Sequence, residues 1–165
     1  MSIKTKFSIK SAFTALCMLF LLNCNIARAE GWLDIGQEAA INTQSTLSDN
    51  SLAVSLRFNY VRNKYLYSLG YKEGVEFFFD NNDFKELSAG WGRHYANRFG
   101  ATTIQTGFGV RNFENNSTES SRFFVPLSAT LILGKYVGIS QSLSLNVSRD
   151  PTIGYEVSYS FGKFN

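Results

Sequence analysis

Apolar residues recur at every second position along most of the chain beyond residue 50. The clearest runs are Leu52, Val54, Leu56, Phe58, Tyr60; then Tyr65, Tyr67, Leu69, Tyr71; then Phe123, Val125, Leu127, Ala129, Leu131, Leu133; and last Ile153, Tyr155, Val157, Tyr159, Phe161. A period of two marks a strand whose side chains alternate between two environments. Val137, Ile139, Leu143, Leu145 and Val147 form a further run interrupted by Gln141, while Leu87, Ala89, Trp91 and Ile104, Thr106, Phe108, Val110 are weaker ones. A first strand around Leu33 and Ile35 is the least defined. The pattern predicts strands over 31–39, 51–61, 64–72, 86–96, 101–111, 122–134, 137–148 and 152–162.

The predicted connections alternate in length. Arg62-Asn63, Asn97 to Gly100 and Lys135-Tyr136 are tight turns, whereas 40–50, 73–85 and 112–121 are longer, polar and rich in Asn, Asp and Ser. Arg149-Asp150-Pro151 is the short exception. Short turns at one end and long loops at the other, on an even number of strands, are what an up-and-down barrel crossing a membrane requires. No apolar run of 18 residues follows residue 30, so no membrane-spanning helix is expected there.

The face complementary to the apolar one decides which way the barrel is turned. It carries Ala53, Ser55, Arg57, Asn59, then Ser140, Ser142, Ser144, Asn146, then Gly154, Glu156, Ser158, Ser160. Small hydroxyl residues with occasional charges suit a narrow polar interior. A surface facing water would carry more Lys and Glu. The fold expected is therefore all-β, an eight-stranded antiparallel up-and-down transmembrane β-barrel; the alternative is a soluble periplasmic barrel enclosing an apolar ligand. Composition agrees with a sheet protein, with 15% aromatic residues, 13 glycines and two prolines.

The first 29 residues read as an address. Lys4, Lys6 and Lys10 precede an apolar stretch from Ala12 to Leu22, and Ala27-Arg28-Ala29 closes it as a cleavage site. This gives a signal peptide over 1–29 and a barrel domain over 30–165. Asn23 before Cys24 argues against a lipid-modified cysteine. Cleavage removes Lys4, Lys6, Lys10 and Arg28, leaving 12 basic and 13 acidic residues. The basic character of the whole chain thus belongs to its leader, and nucleic-acid binding is not expected. Cys17 and Cys24 leave as well, so no disulfide is expected.

Over about 30–165 the chain resembles the small eight-stranded outer-membrane barrels of the OmpA and OmpX kind. The aromatic-rich last strand, Tyr155-Glu156-Val157-Ser158-Tyr159-Ser160-Phe161, carries part of that resemblance, although the chain continues through Gly162-Lys163-Phe164 to Asn165. The resemblance implies a Gram-negative outer membrane, a monomer, contact with outer-membrane lipids and lipopolysaccharide, and handling by the barrel assembly machinery through Phe161 or Phe164.

Candidate chemistry is sparse. The interior face holds Asp34, Glu38, Arg57, Lys72, Glu86, His94, Arg111, Arg122 and Glu156; barrel closure brings the last strand beside the first two, so Asp34, Arg57 and Glu156 are expected to form an interior ion network. His94-Tyr95-Ala96-Asn97 partly resembles the His-x-Ser-Asn motif of the lipid A deacylase family, a small outer-membrane barrel enzyme, but Ala96 replaces the serine nucleophile. Asp80-Asn81-Asn82-Asp83 lacks the glycine and full spacing of a calcium loop, and Gly107-Phe108-Gly109 sits inside a strand, so neither a metal nor a cofactor is expected. Phe77, Phe78 and Phe79 beside Asp80 and Asp83 combine apolar area with charge, and this is the expected interaction loop. The expected function is a non-enzymatic membrane scaffold whose outer loops meet a host or envelope partner. A lipid A-modifying enzyme is the alternative.

Overall fold

The structure, a computed structural model, describes residues 30–43, 49–78, 83–114, 119–149 and 151–164. The expected signal peptide lies outside them. Eight strands follow one another: β1 (Glu30–Asn42), β2 (Asp49–Arg62), β3 (Tyr65–Phe78), β4 (Asp83–Asn97), β5 (Gly100–Glu114), β6 (Glu119–Gly134), β7 (Val137–Val147) and β8 (Thr152–Lys163). Each pairs antiparallel with the next, and β1 pairs with β8 to close the barrel.

The two faces separate cleanly. On β8, Thr152, Gly154, Glu156, Ser158 and Ser160 are buried, while Ile153, Tyr155, Val157, Tyr159 and Phe161 are exposed. β7 alternates likewise, with Ser140, Ser142, Ser144 and Asn146 buried. The exposed face is thus the apolar one, the arrangement of a barrel whose outside meets lipid. Depth in that face has an energetic consequence. Val157→Arg, in the middle of β8, is expected to destabilise the refolded barrel by about 2–4 kcal/mol, and Ile153→Arg, near the strand end, by about 0–1 kcal/mol. Urea titration in vesicles measures both, and equal costs would mean that no lipid slab surrounds β8.

At one end the hairpins are as tight as expected. Arg62 pairs with Tyr65 across Asn63 and Lys64, which have φ of 53° and 67°. Left-handed conformations at both central residues give a turn whose twist matches the flanking strands. In the β4–β5 turn the Asn97 side-chain oxygen accepts from the backbone N–H of Phe99 at 2.8 Å and of Gly100 at 3.1 Å.

At the other end the strands run further than the alternation suggests. The expected loops 40–50, 73–85 and 112–121 contract to 43–48, 79–82 and 115–118. Phe77 and Phe78 belong to β3, paired with Asn50 and Asp49, and Asp83 opens β4. Phe79 and Asp80 lie outside the described residues. The reason is that ladder hydrogen bonds need no apolar side chain. On β3 the outward apolar series stops at Tyr71, Glu73 follows opposite Lys85, and pairing with β4 continues to Val75 opposite Asp83. Strands of 14 residues (β2, β3), 15 (β4, β5) and 16 (β6) exceed the roughly 9–11 that cross a bilayer, so they stand above the apolar band.

One interior detail shows how the sheet accommodates an awkward residue. Pro126 has no N–H, and the β5–β6 register is interrupted between Thr106–Leu127 and Gly109–Phe124. The Phe124 ring then lies where a Cβ on Gly109 would be. Any larger residue at 109 would displace it.

Candidate functional site

The lumen is where most chemistry-bearing residues converge. β3, β4 and β5 turn Ser68, Gly70, Ser88, Gly90, Gly107 and Gly109 inward, and Ser68, Ser88 and Gly90 share a lumen void with the long charged side chains of Arg57, Lys72 and Glu86. Arg57 Nη2 donates to Glu156 Oε2 at 2.8 Å. Lys72 Nζ donates to Glu38 Oε2 at 2.5 Å and lies 3.8 Å from Glu86 Oε1. Arg111 directs Nε and Nη2 at Glu86 Oε2, at 3.0 and 2.8 Å, with Glu76 at 3.8 Å. Glu38 and Glu156 are register partners across the β1–β8 seam. Two like charges there would repel, and each is offset by its own cation.

Asp34, Arg57 and Glu156 are brought to neighbouring strands, as closure requires, but their bonding differs. Arg57 engages Glu156. Asp34 instead accepts from three neutral donors: Ser160 Oγ at 2.5 Å, Asn59 Nδ2 at 2.7 Å and Trp32 Nε1 at 3.1 Å. Arg122, also expected inside, is exposed at the rim, with its guanidinium 4.8 Å from the centre of the Phe113 ring.

The sequence pattern did not reveal that this polar middle is flanked towards both ends by buried apolar clusters, called plugs below. At the tight-turn end Trp32, Val61, Leu66, Ala101, Ile132 and Phe164 form one buried cluster. At the opposite end Ala53, Phe84 and Phe113 form another, with Arg111 over the Phe84 ring at 4.5 Å. A signal was present: Leu66 between Tyr65 and Tyr67, and Ile132 between Leu131 and Leu133, put apolar residues on both faces at once. Between the plugs, the void bounded by Arg57, Lys72, Glu86, Gln105 and Ser144 measures about 30 Å³. That is room for about two water molecules.

His94 belongs to the turn-end plug. It is buried, its ring 5.5 Å from that of Trp32, and its Nε2 is 2.9 Å from the backbone carbonyl of Phe164. A carbonyl only accepts, so Nε2 carries the proton. Nδ1 lies 3.8 Å from Glu30 Oε2. The histidine therefore ties the end of β8 to β4, and Ala96 beside it offers no hydroxyl to activate. Phe161 points outward and Phe164 into the lumen, so the two aromatics near the chain's end play different parts. No group of three or more His, Cys, Asp or Glu residues that could hold a metal is found among the described residues.

A closed eight-stranded antiparallel barrel, apolar outside, ion-paired and plugged inside, has the architecture of the small outer-membrane barrels. Comparison with solved structures agrees. The chain is similar to Neisserial surface protein A at a TM-score of 0.56 and 11% identity, covering 83% of this chain and 97% of that one. It is similar to Ail, the attachment invasion locus protein of Yersinia pestis, at 0.56 and 16%, covering 82% and 97%. The N-terminal barrel domain of Pseudomonas aeruginosa OprF matches at 0.54 and 14%, covering 81% and 100%. At these identities the likeness is one of fold. No protein-family model matches the sequence, and no curated protein sequence does.

Proposed function

We propose that this chain is a non-enzymatic, non-conducting, monomeric barrel of a Gram-negative outer membrane. It acts as a scaffold that presents the extended β2–β6 strand ends to a host or envelope partner. The observation that carries the reading is the combination of a plugged lumen with strands that continue past the apolar band at the end opposite the tight turns. Material cannot pass through such a body, but a rigid rim standing above the membrane can be bound. Two of the similar structures are named as a surface protein and an attachment invasion locus protein, which supports a surface role. Residues 1–29 are the export signal, cleaved after Ala29, so N-terminal sequencing of envelope material should begin at Glu30. The outward aromatics Tyr159 and Phe161 are the residues offered to the assembly machinery, and outer-membrane lipid and lipopolysaccharide surround the apolar band.

The competing readings have less to rest on. A deacylase needs a nucleophile beside His94, and that histidine's Nε2 is engaged by the Phe164 carbonyl. A soluble ligand carrier needs an apolar cavity, and the void in the middle of the lumen is lined by Arg57, Lys72 and Glu86 and measures about 30 Å³. The test compares two variants expressed on cells. One replaces residues 76–82 by a two-residue turn joining the paired Val75 and Asp83; the other is His94→Ala. Both should remain heat-modifiable barrels, since shortening the tip of one hairpin leaves closure intact. Adhesion to host cells or matrix should fall with the shortened hairpin and persist in His94→Ala. A change in lipid A mass on incubation with lipopolysaccharide, abolished by His94→Ala, would overturn the non-enzymatic reading.

A further inference from the structure

The turn end of the barrel is strongly one-signed. Arg62, Lys64, Arg93, Arg98, Lys135 and Lys163 all sit on the tight turns or on the strand ends beside them, and all six are exposed. Glu30 is the acidic side chain at that end among the described residues. At the opposite rim both signs occur, with Glu73, Glu76 and Asp83 against Lys85, Arg122 and Arg149.

The basic groups are held at a defined height. The Arg93 guanidinium lies 4.2 Å from the centre of the Tyr65 ring, that of Arg98 4.4 Å from Phe99, and the Lys135 ammonium 5.5 Å from Tyr136. Those rings are themselves exposed on the outer surface, at 48%, 65% and 58%. Tyrosine rings, apolar with one polar hydroxyl, settle at the boundary between hydrocarbon and headgroups, which places Tyr65 and Tyr136 there. Cations stacked on them are therefore kept beside the headgroups rather than spread into water. Register fixes the level further: Arg62, Tyr65 and Arg93 are successive partners on β2, β3 and β4, and Tyr67 and Trp91, the next outward pair, begin the apolar band.

We infer that this ring is a binding surface for anionic phospholipid. Phosphodiester oxygens of a headgroup carrying no ammonium, as in phosphatidylglycerol, accept from Arg62, Arg93 and Arg98, while Lys64, Lys135 and Lys163 act as point charges around them. Charge complementarity selects this occupant over a zwitterionic lipid, whose own ammonium would face the same cations. The inference rests on the membrane-barrel reading above, with the turn end in the phospholipid leaflet. It gives the barrel a preferred lipid shell at that end and a fixed sense of insertion.

The two tryptophans make the test direct. Trp91 is exposed on the outer face next to Arg93, whereas Trp32 is buried in the lumen plug, so quenching by brominated lipid reports the shell around Trp91. The full barrel is refolded into phosphatidylcholine vesicles containing a minor fraction of brominated phosphatidylglycerol or the same fraction of brominated phosphatidylcholine. Quenching in the first should correspond to an enrichment of about fivefold over the bulk ratio, the factor expected for one basic side chain near an anionic surface. It should fall to the bulk ratio in 1 M salt, and fall by at least half in a variant combining Arg62→Gln, Arg93→Gln, Arg98→Gln and Lys135→Gln, which keeps Lys64 and Lys163. Equal quenching by the two lipids in the unmodified, heat-modifiable protein overturns the inference and leaves the barrel reading standing. Absence of any heat-modifiable, quenchable form in either vesicle would instead sink the barrel reading. A third arm with lipopolysaccharide in place of phosphatidylglycerol, if it protects Trp91 more strongly, overturns the assignment to phospholipid.

Discussion

Glu156→Ala is expected to destabilise the barrel by about 3–5 kcal/mol, because it leaves the Arg57 guanidinium in the lumen without its counter-charge. Glu156 is almost fully buried, and its other oxygen accepts from Ser158 Oγ at 2.7 Å, so a second hydrogen bond goes with it. The void beside Arg57 measures about 30 Å³, little room for a hydration shell around the cation. Replacing both partners by apolar residues, Arg57→Met with Glu156→Leu, should recover most of the loss, because a neutral pair incurs no desolvation penalty. Urea midpoints of the single and double variants in vesicles give the coupling directly. If Glu156→Ala costs less than about 1 kcal/mol, the network is hydrated. The non-conducting reading should then be retested in planar bilayers.

Phe164→Ala should cost a similar amount, about 3–5 kcal/mol, for a different reason. Phe164 is fully buried, edge-on to Trp32 at a centroid distance of 6.2 Å, and its backbone carbonyl is anchored on His94. Truncation empties the middle of the turn-end plug, which Trp32, Leu66 and Ile132 cannot refill without leaving their strands. Phe161→Ala, on the outer face, removes area that lipid can cover and should cost less. If the ranking is reversed, the segment beyond β8 contributes little to stability and the plug does not depend on it. His94→Ala should lie between the two, since it removes the anchor and leaves the ring.

How far the sequence could be read follows from what each signal measures. Alternation of apolar and polar side chains reports two different environments, and it is strong wherever one face meets lipid and the other meets a polar lumen. Ile153 to Phe161 and Phe123 to Leu133 lie wholly in that regime, so β8 was legible to within a residue and β6 at its turn end, while its other end starts three residues earlier than the alternation indicates. Glu73 to Phe78 and Asp83 to Lys85 lie above it. Glu73, Asp83 and Lys85 break the apolar series there, the contrast disappears, and only backbone pairing reveals that these residues are strand. The Phe77-Phe78 pair, which the composition makes look like a loop patch, is such a case. The plugs failed to register for the opposite reason, since Phe84, Phe113 and Ile132 make the inner face resemble the outer one locally. Pairing of charges was legible in outline, because strand adjacency follows from closure. That Asp34 would take three neutral donors rather than Arg57 depends on side-chain reach, which spacing does not encode.

The β1–β8 seam carries 12 register pairs, Gly31 with Lys163 through Asn42 with Thr152, as continuous as any seam formed by strands adjacent in the chain. It joins residues separated by more than a hundred positions, so it is slow to find by diffusion of a free chain. Until β8 is in place, β1 and β7 both present unpaired edges with apolar outer faces, an open invitation to pair with another molecule. Assembly is therefore a race between closing the ring and joining a neighbour, and something must shield both edges while it is run. Once closed, the ring keeps no memory of where it was shut: with the ends of β1 and β8 side by side, any of the eight seams could mark where the chain starts.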